Sequence, residues 1–363
     1  MGRDAYLSPK TRSILKQRGV NLIENDYDAL RGCKDDKFWG IMKKSGLGYD
    51  IDHHNGEMSL AEMTTKALDA LSRNKKGFFL MVEGSAVDFA AHANDPVAVV
   101  SEVLGFDAAV KAVLDFAKKD GNTTVVITSD HGNSGIVLGA QRYSKYSKWN
   151  LKTALGELPN IKCTTSLLES KLKGVKPESM KDTIFKYSGI TLTSKEEEKL
   201  LKVYDKTESD YMEVGTNENI QSFLAKVYNA RTFVSYSSSR HNGEDVFYAV
   251  YSPFGKAPQG FITNQDMNCY LWNSLGLKTS PREMSLRQFR PCDEVLEKGS
   301  WSIGKDEYGD PLLKVKTSDG RECSLCAYSN IVRYSDGKTL SLGTPAVYVP
   351  ADGKFYIPSD FPL

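Results

Sequence analysis

The stretch GFFLMVEGSAVDFAAHANDP, residues 77–96, joins an apolar run to three ionisable side chains. Residues 78–82 have the composition of a buried strand, and Glu83, Asp88 and His92 follow the run closely. Carboxylates and imidazoles are seldom placed in a core without partners. The stretch therefore predicts a strand that leads into a polar site.

The flanking sequence predicts alternating helices and strands. Ser59 and Glu62 form an S-x-x-E capping box in front of an apolar helical pattern. A long helix is predicted over about residues 97–119, Gly121 closes it, and a strand is predicted at residues 123–129. This order predicts an α/β fold around a mostly parallel sheet, in which ligands bind beyond the carboxyl ends of the strands. Asp130 and His131 stand at such an end.

Composition narrows the class of protein. The chain has 363 residues, 40% hydrophobic and 26% charged, with a formal net charge of +1. This balance is typical of globular proteins and gives no reason to expect a nucleic-acid partner. No apolar run has the length of a transmembrane segment, and no signal peptide is expected in this chain. Cys323 and Cys326 form a C-x-x-C pair without a second pair, which indicates buried cysteines or one local disulfide.

Four regions are expected along the chain. Residues 1–140 form an α/β core, and residues 141–225 form a mostly helical, charged insertion whose charges make a solvated face. Residues 226–282 return to the core and carry His241. Residues 283–363 alternate apolar and polar positions between Gly-rich turns, which predicts an appended antiparallel β-rich unit.

The ionisable residues suggest metal chemistry. Asp88 and His92 are four residues apart, so one helical turn puts both on the same side. Aspartate and histidine are zinc ligands, whereas the carboxylate of Glu83 suits Mg²⁺. Each residue alone has an ordinary explanation, such as a solvated carboxylate or a structural histidine; together they favour a metal site. His53 and His54 are further candidates, outside this set.

Three motifs resemble the second half of the alkaline phosphatases. They are GFFLMVEGSAVDFAAHANDP, then GFDAAVKAVLDFAKKDGNTTVVITSDH, then SSRHNGEDVFYAVYSPFG. That family shows F-F-L-x-V-E-G-x-x-I-D-x-x-x-H, T-x-D-H and H-T-G-x-D-V in the same order. The resemblance covers about residues 1–155 and 215–278. It implies the alkaline-phosphatase-like sandwich, incomplete in this chain.

The resemblance implies a ligand set and a reaction. One zinc would be held by Asp88, His92 and His241, a second zinc by Asp130 and His131, and one magnesium by Glu83. Two zinc ions can clamp a phosphoryl group. The implied reaction is hydrolysis of small-molecule phosphate monoesters through a phosphoserine intermediate at alkaline pH. The resemblance to the family is the sole basis for two further expectations, a secreted or periplasmic location and a possible homodimer.

Two family segments are absent from these 363 residues. No D-G-x-G motif follows a first strand, and no Asp-Ser-Ala occurs, so no catalytic nucleophile is identified. Phe89 and Asn242 also differ from the usual family residues at their positions. The chain is therefore expected to be a fragment, poorly soluble or partly disordered unless another chain supplies the missing strands.

Two alternatives remain open. The first is another enzyme of the same superfamily with a different reaction, such as a sulfatase, mutase or phosphodiesterase, which the motifs around Glu83 and His241 disfavour. The second is a noncatalytic metal-binding remnant or scaffold that kept its ligands but has no nucleophile.

Overall fold

The computed structural model describes residue 7 and residues 9–43, 47–53, 56–139, 150, 152, 155–207, 215, 217–255, 257–317 and 320–361. The chain divides into two compact units, Met1–Ala257 and Pro258–Leu363. None of the helices in the described part of the chain is both long and apolar enough to cross a membrane. The domain boundaries expected from the sequence stay a prediction.

The first unit contains the motifs. Its helices are α1 (Pro9–Gln17), α2 (Tyr27–Gly32), α3 (Leu60–Leu71), α4 (Ser85–His92), α5 (Pro96–Asp120), α6 (Thr165–Leu172), α7 (Pro177–Ser188), α8 (Ser194–Leu200) and α9 (Ile220–Ala230), with 3₁₀ turns at Asp50–Asp52 and Leu158–Asn160. Its strands are β1 (Asn21–Glu24), β2 (Phe38–Ile41), β3 (Val125–Thr128), β4 (Gly132–Asn133), β5 (Ile136–Leu138), β6 (Val234–Tyr236), β7 (His241–Asn242) and β8 (Tyr248–Tyr251).

The helix signals in the sequence are confirmed. The Ser59 hydroxyl accepts the backbone N–H of Glu62, and the Glu62 carboxylate accepts the backbone N–H of Ser59. Helix α5 begins after Asp95, whose carboxylate accepts two backbone N–H groups of the first turn. It ends at Gly121, which has a φ of +73°. This is the left-handed conformation, which glycine adopts at low cost.

The strand pairing differs from the prediction. A mixed α/β fold is present, but parallel pairing among the described residues is limited to β1 with β2. Strands β3 and β8 pair antiparallel, as do β4 with β7 and β5 with β6. The strand predicted at residues 78–82 is not assigned, because no described strand pairs with it and a strand is defined by its ladder of hydrogen bonds.

The described residues of the first unit form two apolar cores. One joins β1, α2 and α3 through Ile23, Leu30 and Met63. The other connects α6, α7, α8 and α9, and it also includes Val97 of α5. The helices of the expected insertion therefore pack around a core that they share with α5 and α9. Its largest fully buried side chains are Leu168, Leu172, Ile184, Ile190, Leu224 and Tyr228.

The second unit is rich in antiparallel sheet. Its elements are α10 (Asn264–Ser274), α11 (Pro281–Gln288), β9 (Arg290–Pro291), α12 (Cys292–Val295), β10 (Trp301–Lys305), β11 (Pro311–Lys316), β12 (Glu322–Cys326), β13 (Ile331–Tyr334), β14 (Thr339–Ser341), β15 (Val347–Val349) and β16 (Lys354–Ile357). Strands β10 to β14 form a five-stranded antiparallel meander, and β15, β16 and β9 form a second sheet.

The C-x-x-C pair forms no disulfide. Cys323 and Cys326 are both free and lie three residues apart on β12, so they point to opposite faces of the strand. Cys323 is buried in the core of the second unit.

Candidate metal centre

Helix α4 places the first two candidate ligands on one side. It begins after Gly84 and runs to His92, so Asp88 and His92 are one turn apart. The Nε2 atom of His92 lies 3.5 Å from Oδ1 of Asp88. The four-residue spacing in the sequence predicted this proximity, because residues four apart share a helix face.

His92 is held in one orientation. Its side chain is 0% exposed, and Nδ1 lies 2.6 Å from the backbone carbonyl oxygen of Ser239. A carbonyl oxygen only accepts hydrogen bonds, so Nδ1 carries the proton and donates it to Ser239. In the neutral ring, Nε2 therefore presents its lone pair towards Asp88. A hydrogen bond of this kind is typical of metal-binding histidines.

A short strand pair brings His241 to this helix from far along the chain. Asn133 of β4 is directly opposite His241 of β7 in an antiparallel register. The Nε2 atom of His241 lies 3.4 Å from Oδ1 of Asp88 and 3.1 Å from Nε2 of His92. The His241 side chain is 44% exposed, whereas His92 is buried, so the three groups meet at the surface with one open side.

The distances among these groups fit a tetrahedral zinc site. Asp88, His92 and His241 offer one ligand atom each, and all three atoms lie within 4.8 Å of one another. Zinc binds histidine nitrogen and carboxylate oxygen at about 2.0–2.2 Å, which makes the edge of a tetrahedron about 3.3–3.6 Å long. The observed separations run from 3.1 to 3.5 Å. Two nitrogens and one oxygen, with one side open, match a catalytic rather than a closed structural zinc site.

Asn133 positions the Asp88 carboxylate, and sequence reasoning did not identify it. Its Nδ2 donates to Oδ1 of Asp88 at 2.6 Å and to the Asp88 carbonyl oxygen at 3.3 Å. Ser134 is buried, has a left-handed φ of +60°, and its hydroxyl lies 2.7 Å from the carbonyl oxygen of Ala91. Asn133 therefore links β4 to α4. In the sequence, the indication that Asn133 belongs to the site is its position two residues after the candidate ligand His131.

Asp130 and His131 lie beside the three-residue cluster. The His131 ring stacks on the His241 ring with centroids 3.6 Å apart. Nε2 of His131 lies 3.2 Å from Oδ2 of Asp130, whose side chain is largely exposed. Nδ1 of His131 contacts the carbonyl oxygen of Gly132 at 3.2 Å. The two residues thus form a pair next to His241, and they share no close ligand-atom cluster with Asp88.

The remaining sequence candidates lie apart from this cluster. Glu83 is exposed at the end of residues 78–82 and is not part of the close group formed by the described residues. His53 contacts Asp50 at 3.4 Å and the carbonyl oxygen of Gly48 at 3.2 Å instead. His54 lies outside the described residues.

A buried carboxylate anchors the end of the motif. Oδ1 of Asp95 accepts the N–H groups of Val97 and Ala98, and Oδ2 accepts the N–H of Thr165 at 2.7 Å. Burial raises the pKa of Asp95, and these backbone donors oppose the rise. Asp95 therefore joins the start of α5 to the start of α6, three residues beyond His92.

The family model and the two relatives described next agree on one family for this sequence. A sequence model described as "Alkaline phosphatase" matches residues 9–277. Alkaline phosphatase 4 of Bacillus subtilis (strain 168) is 34% identical over 268 residues, covering 73% of this chain and 54% of that protein. Alkaline phosphatase 3 of the same organism is 31% identical over 270 residues, covering 73% and 55%.

A similar fold is found among solved structures. The crystal structure of a cold-active alkaline phosphatase from the psychrophile Shewanella sp. is 25% identical with a TM-score of 0.59, covering 69% of this chain and 58% of that one. The present chain spans about half the length of the curated relatives that it matches.

Proposed function

Because this chain belongs to the alkaline phosphatase family, we propose that it carries the metal-binding part of a phosphate monoester hydrolase. In this proposal Asp88, His92 and His241 hold one zinc ion. The observation that carries the proposal is the meeting of these three ligand atoms within 4.8 Å, although His241 is 149 residues from His92 in the sequence.

The second part of the proposal concerns the other metals. Asp130 and His131 would hold a second zinc, and Glu83 would hold magnesium. The stacking of His131 on His241 supports a second site next to the first. For Glu83 the support is the family motif alone, because the described contacts do not bring its carboxylate to the other ligands.

The chain's own residues orient and expose the site. The Ser239 carbonyl fixes the Nδ1 proton of His92, and Asn133 fixes the rotation of the Asp88 carboxylate. The partly exposed His241 leaves one side open to a small phosphate ester. Zinc bound there would act as a Lewis acid on a phosphoryl oxygen.

One experiment separates the proposed function from its strongest competitor. The chain and its Asp88→Asn variant are analysed for zinc by atomic absorption. Because no nucleophile is identified in this sequence, both are assayed with p-nitrophenyl phosphate in the presence of the part of Bacillus subtilis alkaline phosphatase 4 that this chain does not match. Zinc binding that Asp88→Asn weakens, together with hydrolysis that the variant loses, supports the phosphatase. A chain that leaves the ester intact while its zinc binding depends on Asp88 is instead a metal-binding remnant. Zinc binding unaffected by the substitution contradicts both.

The noncatalytic remnant stays the second candidate, and the outcome of the assay decides between the two. The chain spans 54% of the length of the Bacillus subtilis relative. The serine nucleophile, a secreted or periplasmic location and a homodimer stay predictions from family resemblance.

A further inference from the structure

A glycine lies directly behind His92, on the side away from the other proposed zinc ligands. A Cβ atom built on Gly215 would be 2.7 Å from the backbone carbonyl oxygen of His92 and 2.6 Å from Cβ of Ser239. It would also be 3.2 Å from Nδ2 of Asn94. The main chain at Gly215 therefore lies against both residues that form the hydrogen bond between the His92 ring and the Ser239 carbonyl.

Space, rather than backbone conformation, favours glycine at this position. The φ angle of Gly215 lies outside the left-handed region, in contrast to that of Gly121. Alanine could therefore take the place of Gly215 without the strain that a positive φ imposes on residues with a side chain. Non-bonded carbon atoms are best separated by about 3.5–4.0 Å, so a Cβ atom at this position would be about 1 Å too close to Ser239.

Of the two crowded neighbours, Ser239 is held less firmly. The carbonyl of His92 lies at the corner between α4 and α5, where Nδ2 of Asn229 donates to the carbonyl oxygen of Asn94 at 2.9 Å. Ser239 lies in the connection between β6 and β7, and its buried hydroxyl has no hydrogen-bond partner in the described part of the chain. A methyl group on residue 215 is therefore expected to displace Ser239 more than His92.

A displacement of Ser239 acts directly on the His92 ring. The Ser239 carbonyl oxygen accepts the Nδ1 proton at 2.6 Å. A shift of about 1 Å would lengthen this contact to about 3.6 Å, at which a hydrogen bond no longer exists. Without this acceptor the proton is free to move to Nε2 in part of the molecules, and in those molecules Nε2 has no lone pair to present towards Asp88.

We propose that Gly215 is a positioning residue of the candidate zinc site, because it leaves the space in which the Ser239 carbonyl reaches Nδ1 of His92. This inference rests on the proposed function in one respect, that His92 is a zinc ligand. Gly215 touches no ligand atom and acts through the orientation of one imidazole ring. Changes to the groups that orient a metal ligand typically lower metal affinity about 10- to 100-fold.

Gly215→Ala tests the proposal, and Gly32→Ala is its matched control. Gly32 lies in α2, its φ is also outside the left-handed region, and a Cβ atom built on it has no neighbour within 4 Å. Long-range ¹H–¹⁵N NMR spectra of the histidine-labelled, metal-free chain in EDTA show which ring nitrogen of His92 carries the proton. The wild type and Gly32→Ala should show a single tautomer protonated at Nδ1, and Gly215→Ala should show a mixture of two tautomers.

Zinc affinity, measured by competition with a chromophoric chelator, is the second readout. Gly215→Ala should bind zinc about 10- to 100-fold more weakly than the wild type, and Gly32→Ala should bind it equally well. The proposal is overturned if Gly215→Ala keeps the single Nδ1 tautomer, keeps the wild-type affinity, or differs from the wild type no more than Gly32→Ala does. A wild-type chain that binds no zinc contradicts the proposed function instead, and the metal-free spectra still decide the role of Gly215.

A double variant keeps the test decisive if Gly215→Ala also disturbs the fold. Adding Ser239→Gly removes the atom 2.6 Å from the built Cβ and keeps the carbonyl that accepts from His92. The methyl group can then move into the space of the Ser239 side chain and away from the His92 carbonyl. The double variant should have wild-type circular dichroism, a larger share of the Nδ1 tautomer, and zinc binding about fivefold or more tighter than that of Gly215→Ala. A double variant no better than Gly215→Ala in tautomer and affinity overturns the proposal.

Discussion

Replacing His241 by alanine is the most direct perturbation of the candidate metal centre. His241 contributes one of three ligand atoms, and its Nε2 lies 3.4 Å from Asp88 Oδ1 and 3.1 Å from His92 Nε2. Structural zinc sites with four ligands bind with about 10–16 kcal/mol, or about 2.5–4 kcal/mol per ligand. At about 1.4 kcal/mol per factor of ten, His241→Ala should weaken zinc binding about 100- to 1000-fold.

The substitution should have little effect on the fold. The His241 side chain is 44% exposed, and its pairing with Asn133 is made by main-chain atoms that alanine retains. A stability change of no more than about 1 kcal/mol is expected for such a position. The loss in zinc affinity would then reflect the missing ligand.

Competition with a chromophoric zinc chelator at pH 7.5 measures the affinity of the wild-type chain and the variant. His53→Ala is the matched control, because His53 contacts Asp50 and Gly48 rather than the cluster. The reasoning is refuted if His241→Ala and His53→Ala bind zinc equally well. It is also refuted if His53→Ala alone weakens binding.

Three further predictions concern charge and orientation. Asn133→Ala removes the donor to Asp88 and should lower zinc affinity about 10- to 100-fold in the same chelator assay, with unchanged stoichiometry. Burial raises the pKa of Glu102 from its ordinary 4.5 to about 7, so stability should fall as pH rises from 4.5 through 7. Glu102→Gln should remove this pH dependence. At pH 8 the variant should have a higher melting temperature, equivalent to about 1 kcal/mol of stability after solvent screening, and at pH 4 its melting temperature should be unchanged. The Arg231 guanidinium lowers the pKa of Glu196 to about 2. Glu196→Gln should therefore lower the free energy of unfolding, measured in urea at pH 7, by about 1–2 kcal/mol. This difference between wild type and variant should vanish as pH falls from 4.5 towards 2, because the Glu196 carboxylate becomes protonated.

Local signals predicted local structure well. The capping box at Ser59 and the glycine stop at Gly121 depend on contacts within a few residues, and both appear where the sequence indicates. The proximity of Asp88 and His92 follows from one helical turn. The approach of His241 depends on pairing between β4 and β7, which no periodicity reveals; it was expected only from the order of the family motifs.

Sheet structure was harder to predict because it depends on partners distant in sequence. The apolar run at residues 78–82 has strand composition and alternating exposure, yet it is unpaired among the described residues. Composition predicts what a segment prefers, and pairing requires another strand to be present. Asn133 was missed for a related reason. Its role arises from the distance of its amide to Asp88, which spacing along the chain does not encode.

The two kinds of proposed metal ligand depend on different parts of the structure. Asp88 and His92 are fixed by α4, and His92 by the carbonyl of Ser239, while β4 carries the partner of His241. None of these contacts involves residues 78–82, so the three-ligand cluster is positioned without them. Glu83 directly follows residues 78–82, and its exposed carboxylate lies outside the cluster. A substitution within residues 78–82 should therefore affect the proposed magnesium ligand more than the three proposed zinc ligands.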